Sequence, residues 1–129
     1  MRQEDYILRE IQKISILLMG LLGKLIQHDE LGNIEKEWRE LQDVTHLSLD
    51  DLLRVEPLEM VKALIRNNGF NTNNLEIFAQ SLYEMRYLYT DNQKEMLLKR
   101  ALFILEYIEV EEKTYSFDRQ NLILKIKNA

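Results

Sequence analysis

Between residues 7 and 25 the chain places Ile7, Ile11, Ile14, Leu18, Leu21 and Leu25 at alternating intervals of four and three. That spacing is a heptad seam, which specifies an α-helix with an apolar stripe along its length. Leu8, Leu17, Leu22 and Ile26 broaden the apolar surface beyond the seam. A helix of this kind must be covered on several sides, by the rest of the chain or by a second copy. Gly20 and Gly23 each cost about 1 kcal/mol relative to alanine in a helix interior. They are expected where another backbone approaches closely. The apolar run from Ile14 to Ile26 spans 13 residues and is broken by Ser15, Gly20, Gly23 and Lys24. It is shorter than the roughly 20 residues that a membrane-spanning helix requires. Glu4, Asp5 and Glu10 precede it, where a secretory signal would carry positive charge. The expectation is a buried helix in a cytoplasmic protein with no membrane partner.

The remaining 100 or so residues carry further helix signals. Gly32-Asn33 reads as the end of one helix and the cap of the next, with Ile34, Trp38 and Leu41 on one stripe. Ser48, followed by Leu49-Asp50-Asp51, is a helix cap with acids in the first turn. Pro57 suits the first position of a helix through Leu58, Val61, Leu64 and Ile65. Asn67-Asn68-Gly69 reads as a C-terminal cap, and the stretch from Asn71 to Asn74 offers the next cap, with Glu76 three residues after Asn73 in the manner of a capping box. Leu75, Phe78, Ala79, Leu82, Met85 and Leu88 form the stripe of a helix ending near Thr90. Asp91 or Asn92 then caps a helix that turns Met96, Leu97, Ala101, Ile104, Leu105 and Ile108 inward. Thr114 and Ser116 cap a last short helix bearing Phe117, Leu122, Ile123 and Ile126. No segment alternates apolar and polar residues long enough to be a strand.

Composition agrees with this reading. Across 129 residues, 46% are hydrophobic and 30% charged, enough for one packed domain and unlike a disordered chain. Four glycines and one proline are too few for the many tight turns of a sandwich or barrel. The fold class expected is all-α, a compact bundle of six or seven helices in a single domain over residues 1–129.

Catalytic and metal chemistry finds little to use. The absence of cysteine excludes disulfides, thiol catalysis and cysteine-ligated metals. His28 and His46 lie in no metal-ligand spacing. The run His28-Asp29-Glu30 reads as a cation near a helix C-terminus followed by a solvated turn. Glu106, Glu109, Glu111 and Glu112 are the densest acids, but no histidine accompanies them at the Glu-x-x-His spacing of a di-iron site. Gly20-Leu21-Leu22-Gly23 is not a phosphate loop, and no serine stands in a Gly-x-Ser-x-Gly setting. No cofactor, metal or catalytic residue is expected. A net charge of −5, with Lys24, Arg54, Lys62 and Arg66 scattered, argues against nucleic acid as a partner.

Two resemblances extend the reading. The segment from about Leu75 to Ile108, with Ala79, Ala101 and Leu105 at its small and bulky positions, resembles a degenerate tetratricopeptide helix pair. It lacks the Trp-x-x-Leu-Gly sequence and the closing proline of that repeat. Such a hairpin implies peptide or protein binding. Asp5-Tyr6-Ile7-Leu8-Arg9-x-Ile11 together with Thr114-Tyr115-Ser116-Phe117-Asp118-Arg119 is similar to a family of short bacterial helical proteins, a domain of unknown function. That resemblance implies a bacterial cytoplasmic protein and transfers no catalytic residue.

Tyr83, Tyr87, Tyr89 and Tyr107 concentrate four of the six tyrosines on the last hairpin. A surface of tyrosine and arginine is what a peptide-binding face carries, although such rings also cover core margins with their hydroxyls in water. The candidate interaction surface is therefore Leu17, Leu22, Ile26, Tyr83, Arg86 and Tyr87. The function expected is a non-enzymatic interaction or scaffold module that forms a homodimer through its first helix. The alternative is a small enzyme or ligand carrier in which Trp38 or the tyrosines contact a small molecule between helices.

Overall fold

The structure is a computed structural model, and it describes residues 3–129. Seven α-helices follow in order: α1 (Gln3–Ile26), α2 (Leu31–Thr45), α3 (Leu49–Arg54), α4 (Pro57–Arg66), α5 (Thr72–Glu84), α6 (Asp91–Glu112) and α7 (Phe117–Lys127). A 3-10 turn, Met85–Leu88, extends α5. No strand occurs among the described residues. The all-α bundle expected from the periodicity is the one observed.

The heptad seam organises the core. Ile14, Leu18, Leu21 and Leu25 are fully buried, and Phe78 and Leu82 of α5 and Ile104 and Leu105 of α6 complete the same cluster. The main packed pairs are α1 with α2 and α5, and α5 with α6. α7 then packs on α6, and α4 joins α3 to α6. α5 thus stands between α1 and α6, which explains why Phe78, Ala79 and Leu82 are all buried on it.

Three side chains hold elements in register. Asn74 is fully buried and donates through Nδ2 to the Gly69 carbonyl at 2.7 Å and to the Ile11 carbonyl at 3.1 Å. It ties the start of α5 to α1. Arg100 of α6 donates to the Leu52 and Leu53 carbonyls, both at 3.4 Å, near the end of α3. Arg119 of α7, 7% exposed, donates through Nη1 to Glu76 at 2.9 Å, through Nε to Glu109 at 2.7 Å, and through Nη2 to the Thr114 carbonyl at 2.7 Å. This guanidinium joins α5, α6 and α7, and charged hydrogen bonds of this kind are among the stronger polar contacts in a protein.

Ser48, Pro57 and Ser116 act as their sequence settings predict. Ser48 Oγ accepts from the Asp51 N–H at 3.0 Å, Ser116 Oγ accepts from the Arg119 N–H at 3.2 Å, and Pro57 opens α4. Other boundaries differ. α1 ends at Ile26 rather than at Gly32-Asn33, because His28 adopts φ 54 and the Asp29 and His28 N–H groups return to the Lys24 and Leu25 carbonyls, both at 3.0 Å. That is a Schellman ending with histidine where glycine is usual, and Gly32 lies in the first turn of α2. Gly69 has no positive φ and caps nothing; instead the Asn67 side chain accepts its N–H at 3.0 Å and donates to the Thr45 carbonyl at 3.0 Å. The cap of α5 is Asn71, which accepts from the Asn74 N–H at 2.9 Å, while Glu76 is committed to Arg119 rather than to a capping box. Thr90 precedes α6 without a side-chain cap, and Asp91 takes φ 44 as its first residue. Phe117 points outward from α7.

Gly20 and Gly23 meet no backbone of their own chain. A Cβ on Gly23 would have nothing within 4 Å, and one on Gly20 would meet only the Glu37 carboxylate at 3.6 Å. The close approach occurs at Gly69 instead. A Cβ there would collide with Cδ1 of Ile14 and lie 3.1 Å from the Glu10 carbonyl oxygen.

Candidate functional site

Leu22, Ile26 and Tyr83 come together. They line a groove of about 340 Å³ between the end of α1, α5 and α7, which Gln80 and Leu122 complete. Glu84, Asp118 and Lys125 form its charged rim. α1 contributes Leu22 and Ile26 to its lining, α5 contributes Gln80 and Tyr83, and α7 contributes Leu122.

The other candidate residues lie elsewhere or are engaged. Arg86 sits over the Tyr83 ring, its Cζ 4.0 Å from the centroid, and donates to the Tyr83 carbonyl at 3.2 Å. Its guanidinium thus stiffens one wall. Tyr87 stacks on His28 with ring centroids 4.1 Å apart, and its hydroxyl donates to the Asp29 carbonyl at 3.0 Å. Burial pushes the Tyr87 phenol pKa up, with the charges of Asp29 and Glu84 adding to it. Tyr87 therefore fastens the α1–α2 turn to the end of α5. Leu17 is five residues before Leu22, and at about 100° per residue the two point roughly 140° apart. It is half-buried on the opposite flank of the seam, the side on which Lys24 pairs with Glu37 of α2 at 2.7 Å.

The outward face of α1 adjoins the groove. Ile16, Met19 and Ile26 are 72%, 55% and 58% exposed, and with Gly20 and Gly23 they make a face free of charge over three turns. Sequence reasoning missed Ile16 and Met19 because neither belongs to the seam. The signal was present in the helical wheel, where both lie on the outer side with the two glycines.

A second cavity, about 350 Å³, lies between α2, the start of α3 and the 3-10 turn, with Ile34, Glu35, Trp38, Asp50, Met85 and Tyr89 in its lining. Trp38 meets Phe78 edge-on at 5.8 Å, and its buried Nε1 has no acceptor among the described residues. Burial raises the Tyr89 phenol pKa, and Asp50 and Glu35 raise it further.

Two acids of the Glu106 run and Asp29 beside His28 are engaged by their neighbours. Glu109 binds Arg119, and Glu106 lies 3.6 Å from Lys127. Asp29 accepts from the Asn33 side chain at 2.9 Å and from the Glu30 N–H at 2.7 Å, and these two contacts, with Lys24 adding, hold its carboxyl below the ordinary value. Among the described residues, no group of three or more His, Cys, Asp or Glu side chains is placed to hold a metal ion.

The architecture defines an all-α helical bundle, and none of its described helices is long and apolar enough to cross a membrane. No protein-family model, curated protein or solved structure matches this chain.

Proposed function

We propose that the chain is a non-enzymatic protein-interaction module that pairs with a second copy through the outward face of α1. The observation that carries the reading is the exposure of Ile16, Met19 and Ile26 beside two glycines that no contact within the chain explains. Soluble monomers seldom expose contiguous apolar area of this kind, and glycines in a helix face let a partner helix approach closely. A two-fold pairing buries the same face on both copies. The groove at Leu22, Ile26 and Tyr83 continues that surface. The tetratricopeptide-like reading of α5 and α6, supported by the full burial of Ala79, Ala101 and Leu105, and the bacterial, cytoplasmic setting belong to the same proposal. Light scattering at micromolar concentration should return about twice the 15.5 kDa chain mass. Replacing Ile16 and Met19 together by glutamate should return a monomer that stays folded, with an unfolding temperature lowered only by the loss of association and no longer dependent on protein concentration. A wild-type protein that is monomeric and well folded overturns the pairing.

A second reading, a small-molecule carrier, is favoured by one separate observation: the cavity at Trp38 and Tyr89 combines an apolar floor with a few charged groups, the usual make-up of a ligand pocket.

A further inference from the structure

We infer that the cavity between α2, α3 and the 3-10 turn binds a small organic ammonium ion, with Glu35 and Asp50 receiving its charge and Trp38 and Tyr89 holding its apolar body. The inference rests on the carrier reading of this cavity and is independent of whether α1 pairs with a second copy. Glu35 comes from the first half of α2 and Asp50 from the first turn of α3, so two separate elements bring two carboxylates to one cavity. Neither carboxylate has an ion-pair partner among the described residues. Tyr89 lines the same cavity as the two acids, and their charges raise its phenol pKa beyond the effect of burial. Arg39 also lines the α2 wall, leaving two acids against one base.

Each part of such a ligand finds its counterpart. The ammonium gains from two carboxylates at an open rim, where each close pair contributes modestly. It gains further from aromatic rings, whose faces attract cations. Leu31, Leu49 and Leu88 offer apolar surface for the rest of the molecule. The volume of about 350 Å³ suits a ligand of roughly the size of phenethylamine, at the lower end of ligand pockets. A carboxylate ligand would have only Arg39 to meet it, against two repelling acids.

Trp38 is the only tryptophan in the chain, so its emission reports occupancy of this cavity directly. Phenethylamine should produce a saturable change in that emission and a matching heat in calorimetry. Phenethyl alcohol, of the same shape but uncharged, should bind at least about fivefold more weakly, the factor expected from losing a charge pair near the surface. The double substitution Glu35→Gln with Asp50→Asn should abolish the difference between amine and alcohol while the far-ultraviolet circular dichroism stays unchanged. Equal binding of the two probes, retention of the amine preference by the double variant, or neither emission change nor heat with the amine, each overturns the proposal. A failure here leaves the light-scattering result untouched, and the reverse also holds.

Discussion

On the inner side of α1, Ile14, Leu18, Leu21 and Leu25 have no accessible surface, whereas Ile16 and Met19, one or two residues away, stand largely in solvent. The residue types on the two sides are nearly the same. What separates them is the neighbour: α2 and α5 cover the seam, while no described element covers the outer face. The glycines follow the same division. Gly69 presses against the inner side, at Ile14 and the Glu10 carbonyl, whereas Gly23 faces open space and Gly20 has only the Glu37 carboxylate near it. Apolarity alone therefore does not define a core position; contact does.

The largest expected effect tests the inner side. Leu18→Ala removes a fully buried side chain from the central cluster and should cost about 2–5 kcal/mol, as such cavities do. Denaturant unfolding measures this directly, and a loss under 1 kcal/mol would show that the seam is not the core. Next comes the contrast among glycines. Gly69→Ala should destabilise by about 1–3 kcal/mol through overpacking, because its Cβ has a side chain and a backbone oxygen in the way. Gly23→Ala should have the opposite sign, stabilising the helix of an isolated chain by up to about 1 kcal/mol. If the outer face pairs with a second copy, the same methyl should weaken association while it strengthens the helix, so unfolding and light scattering move in opposite directions.

The smallest effect concerns the turn after α1. Hydrogen bonds from the Asn33 side chain and the Glu30 N–H depress the Asp29 pKa below its ordinary value of 3.8. A depressed carboxyl pKa means that the contribution is complete above the unfolded value and is lost as pH falls through the lower, folded one. Wild-type stability should therefore decline more steeply below pH 3.8 than that of Asp29→Asn, and parallel acid unfolding curves would remove the charge from the account. Asp29 is solvent-accessible, so salt should shrink the difference further.

Local signals were legible where a residue acts on its near neighbours. The caps at Ser48 and Ser116 and the proline opening α4 all follow from atoms within one helical turn, and they appear where the sequence places them. The signals that misled were those with two uses. Gly69 reads as a helix stop but serves a close approach to a helix more than fifty residues earlier. Glu76 reads as half of a capping box but answers Arg119, a partner 43 residues away. His28 ends α1 in a conformation usually left to glycine, with its ring stacked on Tyr87.

The candidate surface divides along the same line. Leu22, Ile26 and Tyr83 share a groove, but nothing in their spacing tells that Leu17 falls on the far flank or that Tyr87 is spent on the Asp29 carbonyl. By itself the sequence determined the helices, the seam and most of the buried stripe, because periodicity of 3.6 residues selects one side of each helix regardless of partner. Only the tertiary structure decided which apolar side chains remain exposed, which glycine touches backbone, and which acids face an arginine or an open cavity. Those outcomes depend on the directions in which helices cross, and crossing geometry is set by the packing of side chains distant in the chain.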